Sequence, residues 1–135
     1  MSENEMVRVR DVMKTEFDMV DGLATVADAL HEMKYIDTKA LIVRKRNDYD
    51  EYGIVELEDI ATDVLARNRA PERVNIYEIM NKPLIGIDPD MDIRYCARLF
   101  ERYHLNRAAV LENREVIGIV SYADIVIKGM KRLIS

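Results

Sequence analysis

An internal repeat constrains this chain more than any other feature of its 135 residues. The segment around Met13 recurs around Met80, so the two copies stand 67 residues apart with apolar residues at matching places. The same separation holds for two stretches with apolar residues at i, i+3, i+4 and i+7, the pattern of an amphipathic helix. These stretches are Val26, Ala29, Leu30 and Met33 in the first copy, and Ile93, Cys96, Ala97 and Phe100 in the second. The pattern predicts two copies of one supersecondary unit.

Strand-like segments flank each predicted helix. A β-like stretch with a turn signal precedes the helix, and a short apolar run typical of a strand buried on both faces follows it. The first copy then contains a charged hairpin that is two residues longer than its counterpart, so the separation becomes 65 residues and Gly53 matches Gly118. Each copy ends in a second predicted helix. The predicted unit is therefore β-α-β-β-α.

One such unit alone would leave an apolar face of its three-stranded sheet in water. We therefore expect a single α/β domain in which two units pack with pseudo-twofold symmetry. The domain should cover residues 1–135, with repeat 1 at about 7–66, a connection at 67–73 and repeat 2 at about 74–133.

Charge and cysteine content exclude several classes of protein. The net charge of −5 repels phosphate backbones, whereas nucleic-acid binders usually carry a clustered basic face. No run approaches the ~18 apolar residues of a membrane span, and the start of the chain lacks the basic and apolar regions of a signal peptide. The single cysteine, Cys96, cannot form a disulfide within the chain, which favours a reducing compartment. We expect a soluble, cytoplasmic protein that binds neither nucleic acid nor membranes.

The motifs of common enzymes are absent from the sequence. Its five glycines form neither a phosphate-binding loop nor a dinucleotide-binding motif, and residues 118–121 are not a nucleophile elbow. His31 and His104 have no cysteine partner set, so we expect no structural zinc site. Cys96 lies on an apolar helix face with nothing basic to lower its pKa, which indicates an inert thiol. We expect no enzyme, no catalytic residue, no metal and no required cofactor.

Two copies of one motif carry a family resemblance. Each has a glycine, two apolar residues and a polar residue, followed after two further residues by an aspartate and an apolar residue, at 53–60 and 118–125. With the opening segment Val-Arg-Asp-Val-Met at 9–13, these copies resemble the CBS (cystathionine β-synthase) repeat over about residues 7–130.

The resemblance implies a Bateman-type module, in which a cleft between paired repeats binds AMP, ADP, ATP or S-adenosylmethionine. It also implies pairing of such modules as dimers. Because no effector segment is recognisable in the sequence, the module is expected to act as a sensor on a separate, unidentified partner protein.

Ser121 and Asp124 form the more complete copy of the candidate ligand site. An ionised aspartate offers two acceptor oxygens to the 2′- and 3′-hydroxyls of a ribose. The resemblance implies that Ser121 contacts the polar end of the ligand. The same Ser-x-x-Asp spacing is also close to a capping box, in which the pair serves only the start of a helix. Both interpretations are open at this point.

The first repeat departs from the motif, because Glu56 stands where Ser121 stands in the second. A carboxylate within ~4 Å of a phosphate is repelled by about 4 kcal/mol at an effective dielectric constant of 20. The Asp59 site is therefore expected to be empty, to hold an uncharged adenosyl group or to need a cation, and we expect one nucleotide per chain.

Further contacts come from the predicted strands. Lys39 and Arg107 precede the second buried strand of their repeats, where the resemblance implies basic residues that bind phosphate. Each could equally mark only the solvent end of a strand. Ile85, Gly86 and Val43 could line an adenine slot, although apolar strand residues more often belong to a core.

The last helix carries more apolar surface than packing against one small sheet requires. This stripe consists of Ala123, Val126, Ile127, Met130, Leu133 and Ile134. We expect a homodimer through these helices. A ligand-free dimerisation or scaffold protein with vestigial clefts is the alternative function, and Glu56 supports it.

Overall fold

A computed structural model describes residues 5–134, and their contacts divide the chain into two compact units. Unit 1 contains residues 5–16 and 85–134, and unit 2 contains residues 17–84. Residues 1–4, which enter the expectation about the start of the chain, and residue 135 lie outside the described residues.

Unit 2 has the order β-α-β-β-α. Its sheet has the strand order β1-β2-β3, with β1 parallel and β3 antiparallel to β2. A π-helical turn, Ala61–Leu65, extends its last helix. The elements are β1 (Asp18–Val20), α2 (Val26–Glu32), β2 (Ala40–Val43), β3 (Gly53–Glu56) and α3 (Leu57–Ile60).

Unit 1 repeats this order behind a short helix, α1 (Val9–Val12). Its strands lie in the order β4-β5-β6, again with one parallel and one antiparallel pair. The last helix contains a π-helical stretch, Asp124–Met130. The elements are β4 (Gly86–Ile87), α4 (Ile93–Tyr103), β5 (Arg107–Glu112), β6 (Glu115–Ser121) and α5 (Lys131–Ile134). The predicted β-α-β-β-α unit is thus confirmed in both copies.

Local sequence explains where the helices begin. Thr25 caps α2, because its hydroxyl accepts a hydrogen bond from the backbone N–H of Asp28 at 3.1 Å. Asp92 caps α4 in the same way through the N–H of Arg94 at 2.8 Å. The predicted apolar face of α4 is buried, with Phe100 fully enclosed, whereas Leu30 of α2 is 42% exposed.

The opening segment of each repeat packs in the unit formed by the other repeat. Val9 and Val12, from the start of repeat 1, belong to the apolar core of unit 1 together with Phe100. Val74 and Ile76, from the start of repeat 2, belong to the core of unit 2. Each unit is therefore built around a sheet from one repeat and an opening segment from the other.

No helix among the described residues is long and apolar enough to cross a membrane.

Candidate functional site

Ser121 and Asp124 form a reciprocal capping arrangement where β6 ends and the last helix begins. The backbone N–H and the hydroxyl of Ser121 lie 2.9 and 3.0 Å from Oδ2 of Asp124. The N–H of Asp124 lies 3.3 Å from the serine hydroxyl oxygen. This geometry is that of a capping box. The capping interpretation is therefore present in the structure, and a ligand role for the pair stays a prediction.

Two lysines complete the surroundings of Asp124. Nζ of Lys14 lies 2.7 Å and Nζ of Lys128 lies 3.1 Å from its Oδ1. The carboxylate is 1% exposed, whereas the side chains of Lys14 and Lys128 are 18% and 51% exposed. Burial alone would raise the pKa of Asp124, but hydrogen bonds from Lys14, Ser121 and Lys128 outweigh it and lower that pKa below its ordinary value. Asp124 is therefore a buried anion held by two cations.

Arg107 lies at the end of the sheet where β6 meets the last helix. It pairs with Ser121 across β5 and β6, and it is 9% exposed. Their neighbours Ala108 and Val120 belong to the core of unit 1. Because side chains alternate along a strand, Arg107 and Ser121 lie on the opposite face of the sheet from that core. The structure thus brings three predicted site residues, Ser121, Asp124 and Arg107, together in unit 1.

In unit 2, the two residues that match Ser121 and Asp124 are both acidic. Glu56 and Asp59 form their own capping box, with the N–H of Glu56 at 2.9 Å from Oδ2 of Asp59. Nδ2 of Asn81 lies 3.4 Å from the same oxygen. Asp59 is half-buried, and Asn81 stands at the place of Lys14 in the repeat. Among residues 5–134, this carboxylate therefore lacks the cationic partners that Asp124 has.

The other predicted contacts lie in two places. Lys39 takes a left-handed conformation, with φ of 57°, and its carbonyl accepts the N–H of Leu57 at 3.0 Å. Val43 is buried in β2 of unit 2. In unit 1, Ile85 is 46% exposed, and Gly86 lies in β4, where an added Cβ would come within 2.9 Å of the Leu111 side chain. The adenine slot predicted from Ile85, Gly86 and Val43 thus draws on residues of both units and stays a prediction.

Val43 also lines a cavity of about 500 Å³ within unit 2. Its walls are Asp21, Gly22, Leu23, Val43, Arg44, Arg46, Tyr77, Met80 and Lys82.

Two of these wall residues, Lys82 and Arg46, form ion pairs with the carboxylate of Asp50 at 2.7 and 3.1 Å. These contacts lower the pKa of Asp50 and fix the charged hairpin of the first repeat.

Cys96 is fully buried, and burial raises the pKa of its thiol to about 11. Within residues 5–134, no group of three or more His, Cys, Asp and Glu side chains could hold a metal ion.

Sequence reasoning missed Lys14 and Lys128. Lys128 stands four residues after Asp124, a spacing that brings two side chains together on a helix and could have identified it. Lys14 is separated from Asp124 by 110 residues, and no local pattern signals their contact.

The family model that matches the chain is "CBS domain", at residues 9–66 and 76–130. The CBS domain-containing protein YhcV of Bacillus subtilis is 24% identical over 125 residues, which are 93% of this chain and 87% of that protein. Hypoxic response protein 1 of Mycobacterium tuberculosis is 25% identical over 120 residues, or 89% of this chain and 83% of that protein. The uncharacterised protein MJ0450 of Methanocaldococcus jannaschii is 23% identical over 109 residues, and the chain spans 59% of its length.

Solved structures of similar fold include one hexameric protein and one protein with bound adenosine derivatives. The hexameric CBS-CP12 protein from bloom-forming cyanobacteria is 36% identical, with a TM-score of 0.86 over 91% of this chain and 71% of that one. The CBS domain pair of protein MJ0100, solved in complex with 5′-methylthioadenosine and S-adenosyl-L-methionine, is 22% identical. Its TM-score is 0.76 over 95% of this chain and 99% of that one, a likeness of fold.

Proposed function

The chain belongs to the CBS domain family, and from this premise we propose that it is a cytoplasmic regulatory module that binds an adenosine-containing small molecule. The candidate ligands are AMP, ADP, ATP and S-adenosylmethionine. The module performs no chemistry itself and acts on a separate partner protein. A CBS pair of the same fold was solved with two adenosine derivatives, which supports this class of ligand.

The observation that carries the proposal is the buried polar cluster at the end of β6. Asp124 is 1% exposed and Arg107 is 9% exposed. Burying charged groups is costly unless they are paired, and perturbed ionisable groups concentrate at functional sites. Carboxylate, hydroxyl and cationic groups together supply what a nucleotide needs, namely acceptors for ribose and donors for phosphate.

A thermal unfolding screen tests the proposal. AMP, ADP, ATP, 5′-methylthioadenosine and S-adenosylmethionine are each added at millimolar concentration, with GMP as the control that keeps ribose and phosphate but changes the base. A ligand at 100 times its dissociation constant stabilises the folded protein by about 2.7 kcal/mol. We expect at least one adenosine ligand to raise the unfolding temperature well beyond GMP, and no effect from all five would refute the proposal.

A ligand-free dimerisation or scaffold protein is the second candidate. A carboxylate has about four lone-pair sites, and four donor groups already surround Asp124. If this arrangement serves only the fold, the screen returns no shift while the protein still associates.

A further inference from the structure

The carboxylate of Asp124 has no spare acceptor capacity in unit 1. Lys14 and Lys128 contact Oδ1, while the N–H and hydroxyl of Ser121 contact Oδ2. About four lone-pair sites are available on an ionised carboxylate, and four donors fill them. A ribose hydroxyl can therefore reach Asp124 only by displacing one of these donors.

The two lysines are the donors that a ligand can displace. The serine N–H and hydroxyl are fixed by the capping arrangement, whereas Lys14 and Lys128 hold their positions through flexible side chains. A displaced ammonium group needs a new anion, because a partly buried charge without a partner is costly. Lys14, with 18% of its side chain exposed, is affected more than Lys128 at 51%.

We propose that this cluster makes unit 1 selective for phosphate-bearing adenosine ligands over uncharged or cationic ones. This inference rests on the proposed function and specifies its ligand class. The ribose takes the place of a lysine on Asp124, and the phosphate accepts the released ammonium group. The 5′-phosphate of AMP compensates for the exchange, whereas 5′-methylthioadenosine has an uncharged thioether at the 5′ position. S-adenosylmethionine has a cationic sulfonium there, and its carboxylate lies farther away along the methionine chain.

Unit 2 has no basic residue at the matching positions of the repeat. Asn81 replaces Lys14, Asp63 replaces Lys128 and Glu56 replaces Ser121. Ala40, opposite Glu56 in the sheet, replaces Arg107. The motif in unit 1 therefore has three cationic residues at these positions, whereas the motif in unit 2 has two carboxylates and no cation there. This contrast restricts the proposed phosphate contact to unit 1.

The test compares AMP with 5′-methylthioadenosine, which share adenine and ribose but differ in the charge of the 5′ group. Isothermal titration calorimetry gives the dissociation constant of each for the full chain at low salt. We expect AMP to bind about tenfold or more tightly than 5′-methylthioadenosine, because a charge-assisted hydrogen bond to phosphate is worth at least that ratio.

Lys14→Asn installs the residue that unit 2 has at this place. We expect it to weaken AMP binding about tenfold and to leave 5′-methylthioadenosine binding unchanged or tighter, because a neutral amide is displaced from Asp124 more easily than an ammonium group. Lys128→Asn should act in the same direction, and its half-exposed side chain keeps the risk of misfolding low. Lys131→Asn, an exposed lysine in α5, is the control with the same charge change and should leave the affinity ratio unaltered.

The outcomes separate this inference from the proposed function. If 5′-methylthioadenosine binds the parent as tightly as AMP, or if both lysine variants weaken the two ligands equally, charge selection is refuted and adenosine binding stands. If none of the adenosine ligands binds the parent, the proposed function fails and the inference fails with it.

Discussion

Replacing Asp124 by alanine should destabilise the protein far more than the matched change in unit 2. The variant loses the capping box, worth about 1 kcal/mol, and leaves two ammonium groups without their anion. Lys128 is half exposed and contributes little, whereas Lys14 is largely buried, and a hydrogen bond to a charged group is worth about 1.5–3 kcal/mol. We expect a loss of about 2–4 kcal/mol, or about 10 °C in unfolding temperature.

Asp59→Ala is the control, because Asp59 has a capping box and an asparagine neighbour but, in the part of the chain that the structure describes, no lysine partner. It should cost about 1 kcal/mol. Urea unfolding of both variants at pH 7, followed by circular dichroism, gives the comparison. Equal losses for the two variants would show that the lysines add nothing to the stability of unit 1.

The pH dependence of stability gives a second measurement on Asp124. The folded-state pKa is lowered from 3.8, so the folded protein binds the proton less readily than the unfolded chain. The stabilisation is therefore complete above pH 3.8 and is lost as the pH falls further toward the folded-state pKa. The stability difference between the parent and Asp124→Asn should narrow over that acid range, and a constant difference would contradict the assignment.

Three further predictions concern association, stoichiometry and packing. Light scattering should give twice the chain mass of 15.7 kDa, and Ile127→Glu, on a side chain that is 64% exposed, should halve it. Calorimetry should return one AMP per chain, and Glu56→Thr should create or strengthen a second site; two equal sites in the parent would count against the asymmetry. Gly118→Ala should cost about 1–3 kcal/mol, because its Cβ would lie 2.6 Å from the carbonyl oxygen of Lys14. Gly22→Ala, whose nearest contacts are at 3.6 Å, should be nearly neutral, and equal effects of the two changes in urea unfolding would refute the packing argument.

Most of the secondary structure could be predicted because each helix pattern and each strand pattern occurs twice, once in each repeat. A helix of period 3.6 such as α4 buries one stripe, and a strand such as β2 buries all four of its residues, so both leave a plain pattern in the sequence. The π-helical stretches Ala61–Leu65 and Asp124–Met130 left no comparable signal, since they keep the apolar spacing of an ordinary helix end.

The candidate site could be predicted in part. The spacing of Ser121 and Asp124 indicated a capping box, and the structure has one. The contact of Lys14 with Asp124 could not be predicted, because the repeat pattern places Lys14 in the first copy whereas its backbone pairs with Ile119 of the second. Whether the predicted residues bind an adenosine ligand stays a prediction for the binding experiments.

The exchange of opening segments also affects the order in which the chain can fold during synthesis. Unit 2 is one continuous stretch, residues 17–84, so every residue it needs has been made before β4 is reached. Unit 1 requires residues 5–16, which precede unit 2 in the sequence, together with residues 85–134, which follow it. All of unit 2 has therefore been synthesised before the residues that pack against Val9 and Val12 in the core of unit 1 are made. Of the two units, unit 1, with the buried carboxylate of Asp124, can therefore form only after all of unit 2 has been synthesised.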